Sequence, residues 1–443
     1  MSRETVAIPA PTHSTLPPRS SAGPHPANRL NLRLTFLRRP ASVLVLAFAA
    51  ISARGQNLSL HDAIQQAQAS PQAREAQDRI DAVHGLVIQA GLRPNPRLFL
   101  QSEDLRPWAD NFDFPTATED YGYLSQTIEL GGKRSSRLGV ARANLRQAEA
   151  ERALLLQEIA GRVAAAYWSA VVSQGIATLL EADMAAVDAI VRYNQARVDA
   201  GATRGVDLLR VQIERDRLHL AFAAARRDTL LTRIDLFRQM GRSAPTSAST
   251  LHLSDSIDAI TPIPRTSIDA VLAARADVAV AREAVAVATA EVKLQHAVGV
   301  PDLDLLGGYK RNITTNTLYT GLQIPLPFSN RNQGEIERAR ASVHIAEDRL
   351  HILDLTVRAD VDAAEGAFAQ QQQVIQTVLP DMRARAKQNL AIMDDAYRTG
   401  GVDLLRFLDA ERTEFDIEVS ALRSLADFQQ AGLRLQLAYG ARP

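Results

Sequence analysis

Residues 133–200 contain no proline, and their three glycines, Gly139, Gly161 and Gly175, are isolated among apolar and alanine positions that recur at helical spacing. A helix of that span rises roughly 100 Å at 1.5 Å per residue. An element so long does not fit inside an ordinary globular core, so the spacing predicts a coiled-coil rod whose alanine-rich seams let neighbouring helices approach closely. A second such stretch runs from Arg331 to about Thr399, with one interruption at Pro380.

The two stretches belong to a repeat. The hexapeptide Gly-Val-Asp-Leu-Leu-Arg occurs at Gly205–Arg210 and again at Gly401–Arg406. Glu214-Arg215 follows the first copy and Glu411-Arg412 the second, while Ala141-Arg142-Ala143 upstream is echoed by Ala339-Arg340-Ala341. Echoes that keep their order point to duplication. Each unit reads as an Ala-rich helix (about 60–92 and 266–297), two β-like runs, the long helix, a turn at the hexapeptide, and a returning helix (about 206–241 and 402–440). The runs are Pro96–Leu105 and Glu119–Leu130 in the first unit, Asp302–Arg311 and Asn316–Leu326 in the second. Leu318, Thr320, Leu322, Ile324 and Leu326 alternate with Tyr319, Gly321, Gln323 and Pro325, the period of a strand.

The returning helices are half as long as the outbound ones. Stacking 206–241 on 266–297, and 402–440 on 60–92, makes two composite helices of matching length. The expected organisation is therefore a leader and signal peptide (1–55), a first repeat (56–241), an equatorial linker (242–265) and a second repeat (266–443). The leader rests on residues 1–28, rich in Pro, Ser and Thr and expected to be disordered, then on a basic stretch from Arg29 through Arg38-Arg39-Pro40. An apolar run from Ala41 to Ala53 and small-residue cleavage points near Ala50 and Ala53 complete an export signal.

Four strands cannot close a barrel, and an open sheet edge is not tolerated in lipid. Closure by several chains solves this: two chains give eight strands and three give twelve. A small soluble sheet packed on the rod is the alternative.

Composition excludes several functions. The 443 residues carry 50 basic and 50 acidic side chains and no cysteine, so there is no electrostatic case for a nucleic-acid partner, and no disulfide, thiolate metal site or lipidated cysteine. Gly131-Gly132-Lys133 resembles a phosphate loop, but Thr127 and Arg134 stand where glycine and a hydroxyl residue are needed. No His-Glu-x-x-His or Gly-x-Ser-x-Gly motif is present, so no enzyme is expected. His344 and His351 lie seven apart on one helix, without a carboxylate set to complete a site. No resident metal and no cofactor are expected.

The opening Leu58-Ser59-Leu60-His61-Asp62-Ala63-Ile64, the paired units and the Gly-Val-Asp-Leu-Leu turns followed by Asp409-Ala410-Glu411-Arg412 resemble the TolC family of outer-membrane efflux ducts. Gln126–Arg134 and Ile324–Gly334 are most similar to its CzcC-like branch, which serves tripartite exporters of divalent cations. The resemblance implies a mainly α fold with a small β part. Three copies would form a homotrimer with a twelve-strand β-barrel in outer-membrane lipid and a helical tunnel in the periplasm of a Gram-negative bacterium. It also implies a periplasmic adaptor and an inner-membrane RND pump as partners. The alternatives are a periplasmic coiled-coil scaffold and a related duct for drugs or secreted proteins.

Two groups of residues are candidate sites. The turns Gly201, Gly205, Val206, Asp207, Leu208, Leu209 and Arg210, and Gly400, Gly401, Val402, Asp403, Leu404, Leu405 and Arg406, are expected at the tips. Exposed leucines there suit an adaptor surface, or pack in their own hairpin while Asp207 and Asp403 cap the returning helices. Asp394, Asp395, Asp403 and Asp409 are candidates for a tunnel constriction, where threefold repetition would make an acidic ring. Gly201–Gly205 is longer than Gly400-Gly401, so the two tips are expected to present unequal surfaces.

Overall fold

The computed structural model describes residues 57–244, 251–259, 262–312 and 315–441. The export signal falls outside the described residues, and so do parts of the linker segment 242–265.

Two short helices, α1 (Leu60–Ala67) and α2 (Pro71–Ala90), open the first half. The split between them arises at Ser70-Pro71. The Ser70 hydroxyl accepts from the Ala73 amide, and Pro71 takes the first helical position, where its missing N–H costs nothing. Strands β2 (Arg97–Glu103) and β3 (Glu119–Ile128) follow, separated by the one-turn α3 (Phe114–Ala117), and α4 (Lys133–Asp199) and α5 (Gly205–Gln239) form a hairpin. The second half repeats this with α6 (Ile268–Ala274), α7 (Ala276–Val298), β5 (Leu303–Asn312), β6 (Thr315–Gln323), α8 (Gln333–Gln373), α9 (Leu379–Arg398) and α10 (Leu404–Ala438). Pro380 does not break the rod. Residues Val374–Val378 form a π-helical turn just before it, widening the ladder at the carbonyl that the proline ring would strike.

The expected crossed stacking of the half-length helices is wrong. Gly241, past the end of α5, lies against Ser70 and Pro71 at the start of α2, and the Arg242 guanidinium donates to the Gln66 side chain. Gly440, past the end of α10, lies against Ala274 and Arg275 at the α6–α7 junction, where Arg275 donates to the Ala438 carbonyl at 3.2 Å. Each return helix is thus continued by the leading helix of its own repeat. Because the two repeats are nearly equal in length, length arithmetic satisfies both pairings, and only the end-to-end contacts distinguish them.

The main core sits at this equator. Tyr167 of α4 is fully buried among Ile159, Val163, Leu236, Met240 and Val271, and donates its hydroxyl proton to the Leu58 carbonyl at 2.9 Å. Leu58 belongs to β1 (Asn57–Leu58), which pairs in parallel with β4 (His252–Leu253), so Tyr167 ties this strand pair to the rod, together with Gln174, whose side chain accepts from the Leu253 amide at 3.3 Å. The most apolar window of α4 is long enough to cross a membrane, but many of its side chains are placed in this core.

At one end of the rod the strands form a single antiparallel sheet in the order β2-β3-β5-β6. The β3–β5 pairing, Tyr123 opposite Gly308, joins the two repeats. Among the described residues, β2 and β6 remain as edges.

Gly241 has φ +70° and no room for a side chain, since an added Cβ would lie 2.7 Å from that of Ser70; Gly205 faces open space at negative φ. Gly241→Val should lower stability by about 2–4 kcal/mol, whereas Gly205→Ala should leave it nearly unchanged. Thermal melts followed by circular dichroism test the difference.

Candidate functional site

The rod's other end carries both hexapeptides. Each outbound helix stops in the same way: Gly201 (φ +67°) and Gly400 (φ +80°) adopt the left-handed conformation, and the next amides reach back to the Arg197 and Ala396 carbonyls at 2.8 and 2.7 Å. The return helices then start differently. Asp403 caps α10, its carboxylate accepting from the Arg406 amide at 3.0 Å. Asp207 does not cap α5. The longer first turn lets that helix begin at Gly205, placing Asp207 in the first turn, where it accepts from the Thr203 hydroxyl at 3.3 Å.

The leucines divide as well. Leu404 is 7% exposed and packs with Phe407, Tyr397, Val187 and Val211; Leu208 is half-buried. Leu209, Leu405 and Val206 are exposed, at 54%, 62% and 53%. Gly201, Gly205, Gly400, Gly401, Arg210 and Arg406 are exposed and Val402 is half-buried. So Leu404 packs within its own hairpin, Leu208 is half-buried, and the second leucine of each pair is left outside.

The four aspartates are not equivalent. Asp394 is ion-paired with Arg398 at 3.0 Å, and Asp403 is committed to its helix start. Asp395 and Asp409 stand exposed, their backbone carbonyls accepting from the Thr399 and Thr413 hydroxyls. His344 has Glu347 beside it at 3.5 Å.

Two features just behind the tips were not foreseen. Tyr397 of α9 stacks on Phe407 with centroids 5.1 Å apart and donates to the buried Asn194 side chain of α4 at 2.8 Å. These partners are 203 residues apart, and an Asn in a long helix carries no local mark of its partner. A cleft of about 700 Å³ opens beside them, lined by Ile190, Tyr193, Leu390 and Asp394, and reaches Glu411 and Glu414. Here Asp183 of α4 meets Glu411 and Glu414 of α10 and Glu214 of α5. Burial, then the neighbouring Asp183, Glu214, Asp394 and Glu414 charges, push the Glu411 carboxyl up to about 7. Burial, then Glu414 and Glu214, raise Asp183 to about 6. Cations partly offset this density: Arg412 holds Glu214 at 2.8 Å, and Lys387 and Arg383 hold Glu418 at 3.1 and 2.6 Å.

The sheet at the far end has two unlike faces. Leu98, Leu100, Leu124, Leu305, Leu318 and Leu322 project from one side and are strongly exposed, Leu318 at 84%. The opposite side carries Arg97, Gln101, Ser125, Thr127, Asp304 and Lys310, largely engaged with one another; Thr127 donates to Asp304 at 2.5 Å and Lys310 meets Glu119 at 2.8 Å. An exposed leucine face opposite a polar face is the pattern of a lipid-spanning barrel wall.

Residues 63–242 and 267–441 match the outer membrane efflux protein family. The chain belongs to that family. It is 27% identical over 414 residues to the cobalt-zinc-cadmium resistance protein CzcC of Cupriavidus metallidurans, covering 91% of this chain and 92% of that one. It is also 27% identical to the nickel-cobalt-cadmium resistance protein NccC of Alcaligenes xylosoxydans xylosoxydans, over 56% of this chain and 55% of the relative. The open-state MtrE outer membrane channel of Neisseria gonorrhoeae shares the fold, with a TM-score of 0.72 at 19% identity, over 86% of this chain and 89% of that one. This outer membrane efflux protein has the long helical hairpins and small sheet of TolC-like channels.

The raised Glu411 carboxyl gives a signed pH dependence. Between about pH 4.5 and 7 the folded chain keeps a proton that the unfolded chain has lost, so this group's contribution to stability falls as pH rises through that window. Glu411→Gln should therefore raise stability at pH 8 by about 2 kcal/mol and change little at pH 4, as read from melting temperatures across the range.

Proposed function

We propose that three copies of this chain form the exit duct of a tripartite RND-type efflux system, carrying divalent metal cations from the periplasm across the outer membrane. The observation that carries the assembly is the four-stranded sheet with a leucine face and two unpaired edges, β2 and β6. Pairing β6 of one copy with β2 of the next closes twelve strands, which removes every edge from lipid. The hairpin tips then hang about a helix length below, in the periplasm, within reach of an adaptor that links them to an inner-membrane pump. The cargo follows from the cation-resistance relatives CzcC and NccC, and from alignment with CzcC along nearly the whole length of both chains.

Within this assembly the exposed Leu209, Leu405 and Val206 are the adaptor contacts, because apolar side chains at a solvated tip are stabilised when a partner covers them. Leu404 and Leu208 support the hairpin instead. Asp395 and Asp409 are the residues for an acidic constriction, since Arg398 neutralises Asp394 and Asp403 is held by its helix. A threefold ring of such carboxylates concentrates cations at the duct entrance. Transport through a duct of this kind requires no chemical step in the chain itself.

Leu405→Asp should reduce site-directed crosslinking to the adaptor several-fold while the trimer stays intact on native gels. Leu404→Asp should instead lower the melting temperature. A strain lacking this chain should become sensitive to cobalt, zinc, cadmium or nickel salts, with unchanged tolerance of organic solvents and antibiotics. Sensitivity to the organic compounds alone would remove the metal cargo.

A further inference from the structure

The polar face of the sheet is interrupted by one rung of aromatic residues. Phe99 on β2 pairs with Tyr123 on β3, Tyr123 with Gly308 on β5, and Gly308 with Tyr319 on β6, so the four lie at one level across the whole sheet. The rings form a contiguous row. Phe99 stacks on Tyr123 with centroids 4.8 Å apart and a 30° tilt, and Tyr123 meets Tyr319 edge-on at 6.2 Å.

Gly308 makes the row possible. A Cβ there would lie 2.5 Å from that of Tyr123, so glycine leaves the space that the neighbouring ring crosses to reach Tyr319. The row also lies on the face opposite the leucines, the one that carries Arg97, Gln101, Lys310 and Asp304. Tyr123 and Tyr319 are half-buried there, while Leu124 and Leu318, their neighbours on the other face, are 52% and 84% exposed.

We infer that this rung is a collar that narrows the lumen of the barrel and sets which solutes leave through it. The inference rests on the trimeric duct proposed above. Three rings per chain become nine around the lumen when three sheets close, in three rows that each climb about 9 Å along the axis because the strands are tilted. Twelve strands about 4.8 Å apart and tilted by about 40° enclose a backbone cylinder roughly 24 Å across. Rings reaching roughly 6 Å inward from opposite walls leave a bore of roughly 12 Å. That passes a metal cation with its hydration shell and retards large organic solutes. The ring faces also attract cations, so the narrowing does not oppose positively charged cargo.

The chain has no cysteine, so single cysteines are clean reporters. Tyr319→Cys, Tyr123→Cys and Leu318→Cys are compared as purified trimers in planar bilayers, before and after a charged, water-soluble methanethiosulfonate reagent. Tyr319→Cys and Tyr123→Cys should open the bore, raising single-channel conductance by about twofold or more, and the reagent should then change it again. Leu318→Cys, facing lipid, should match wild type and ignore the reagent. Tyr319→Phe keeps the ring and should conduct like wild type, which separates the ring's bulk from any effect on folding. Wild-type conductance in both cysteine variants at the rung, or reaction at Leu318→Cys in place of Tyr319→Cys, overturns the collar. A wild-type trimer that forms no channel at all overturns the duct itself.

Discussion

Each long helix in this protein is twice the length of the helix that returns beside it, and an unpaired half would leave its apolar stripe in water. End-to-end stacking at the equator removes that problem. Gly241 and Gly440 end α5 and α10 in left-handed turns, and each lies directly on the start of another helix, so that α2 and the α6–α7 pair continue the rod. The clearances are too small for a Cβ. Much else hangs on these two joints. They bring the sheet to one end and the hairpin turns to the other, and they hold Tyr167 and Leu58 in the core between.

The two tips show how one hexapeptide yields two surfaces. Both copies end their outbound helix on a left-handed glycine, yet the first has room to begin its return helix at Gly205 and the second begins it at Leu404. The same aspartate is therefore a hydroxyl acceptor in one tip and a helix cap in the other. Behind the tips, Tyr397 and Asn194 tie α9 to α4, while Asp183, Glu214, Glu411 and Glu414 crowd carboxylates between α4, α5 and α10. A satisfied polar tie and a cluster of like charges thus lie side by side between the two hairpins.

At the opposite end the sheet separates its functions by parity. Odd and even positions along each strand point to opposite faces, so the leucines and the aromatic rung never compete for space. A one-residue slip in the β3–β5 register would put Tyr123 opposite Gly307 or Tyr309 instead of Gly308 and turn β5 over relative to β3, and the row would not form.

Much of this was legible in the sequence because helical and strand periodicities are local. The proline-free stretch at 133–200, the alternation that begins at Leu318, which β6 keeps as far as Gln323, and the turns at Gly201 and Gly400 all follow from short-range sterics and burial. What the sequence left open was which surfaces meet. Two equal repeats allow either stacking of half-helices, and only the contact of Gly241 with Ser70 and of Gly440 with Ala274 decides it. The burial of Leu404 and the pairing of Asn194 with Tyr397 likewise depend on neighbours some two hundred residues away. Local pattern determines that a helix or strand forms and which side is apolar; the partner of that side is set by packing between distant segments, which only the tertiary structure supplies.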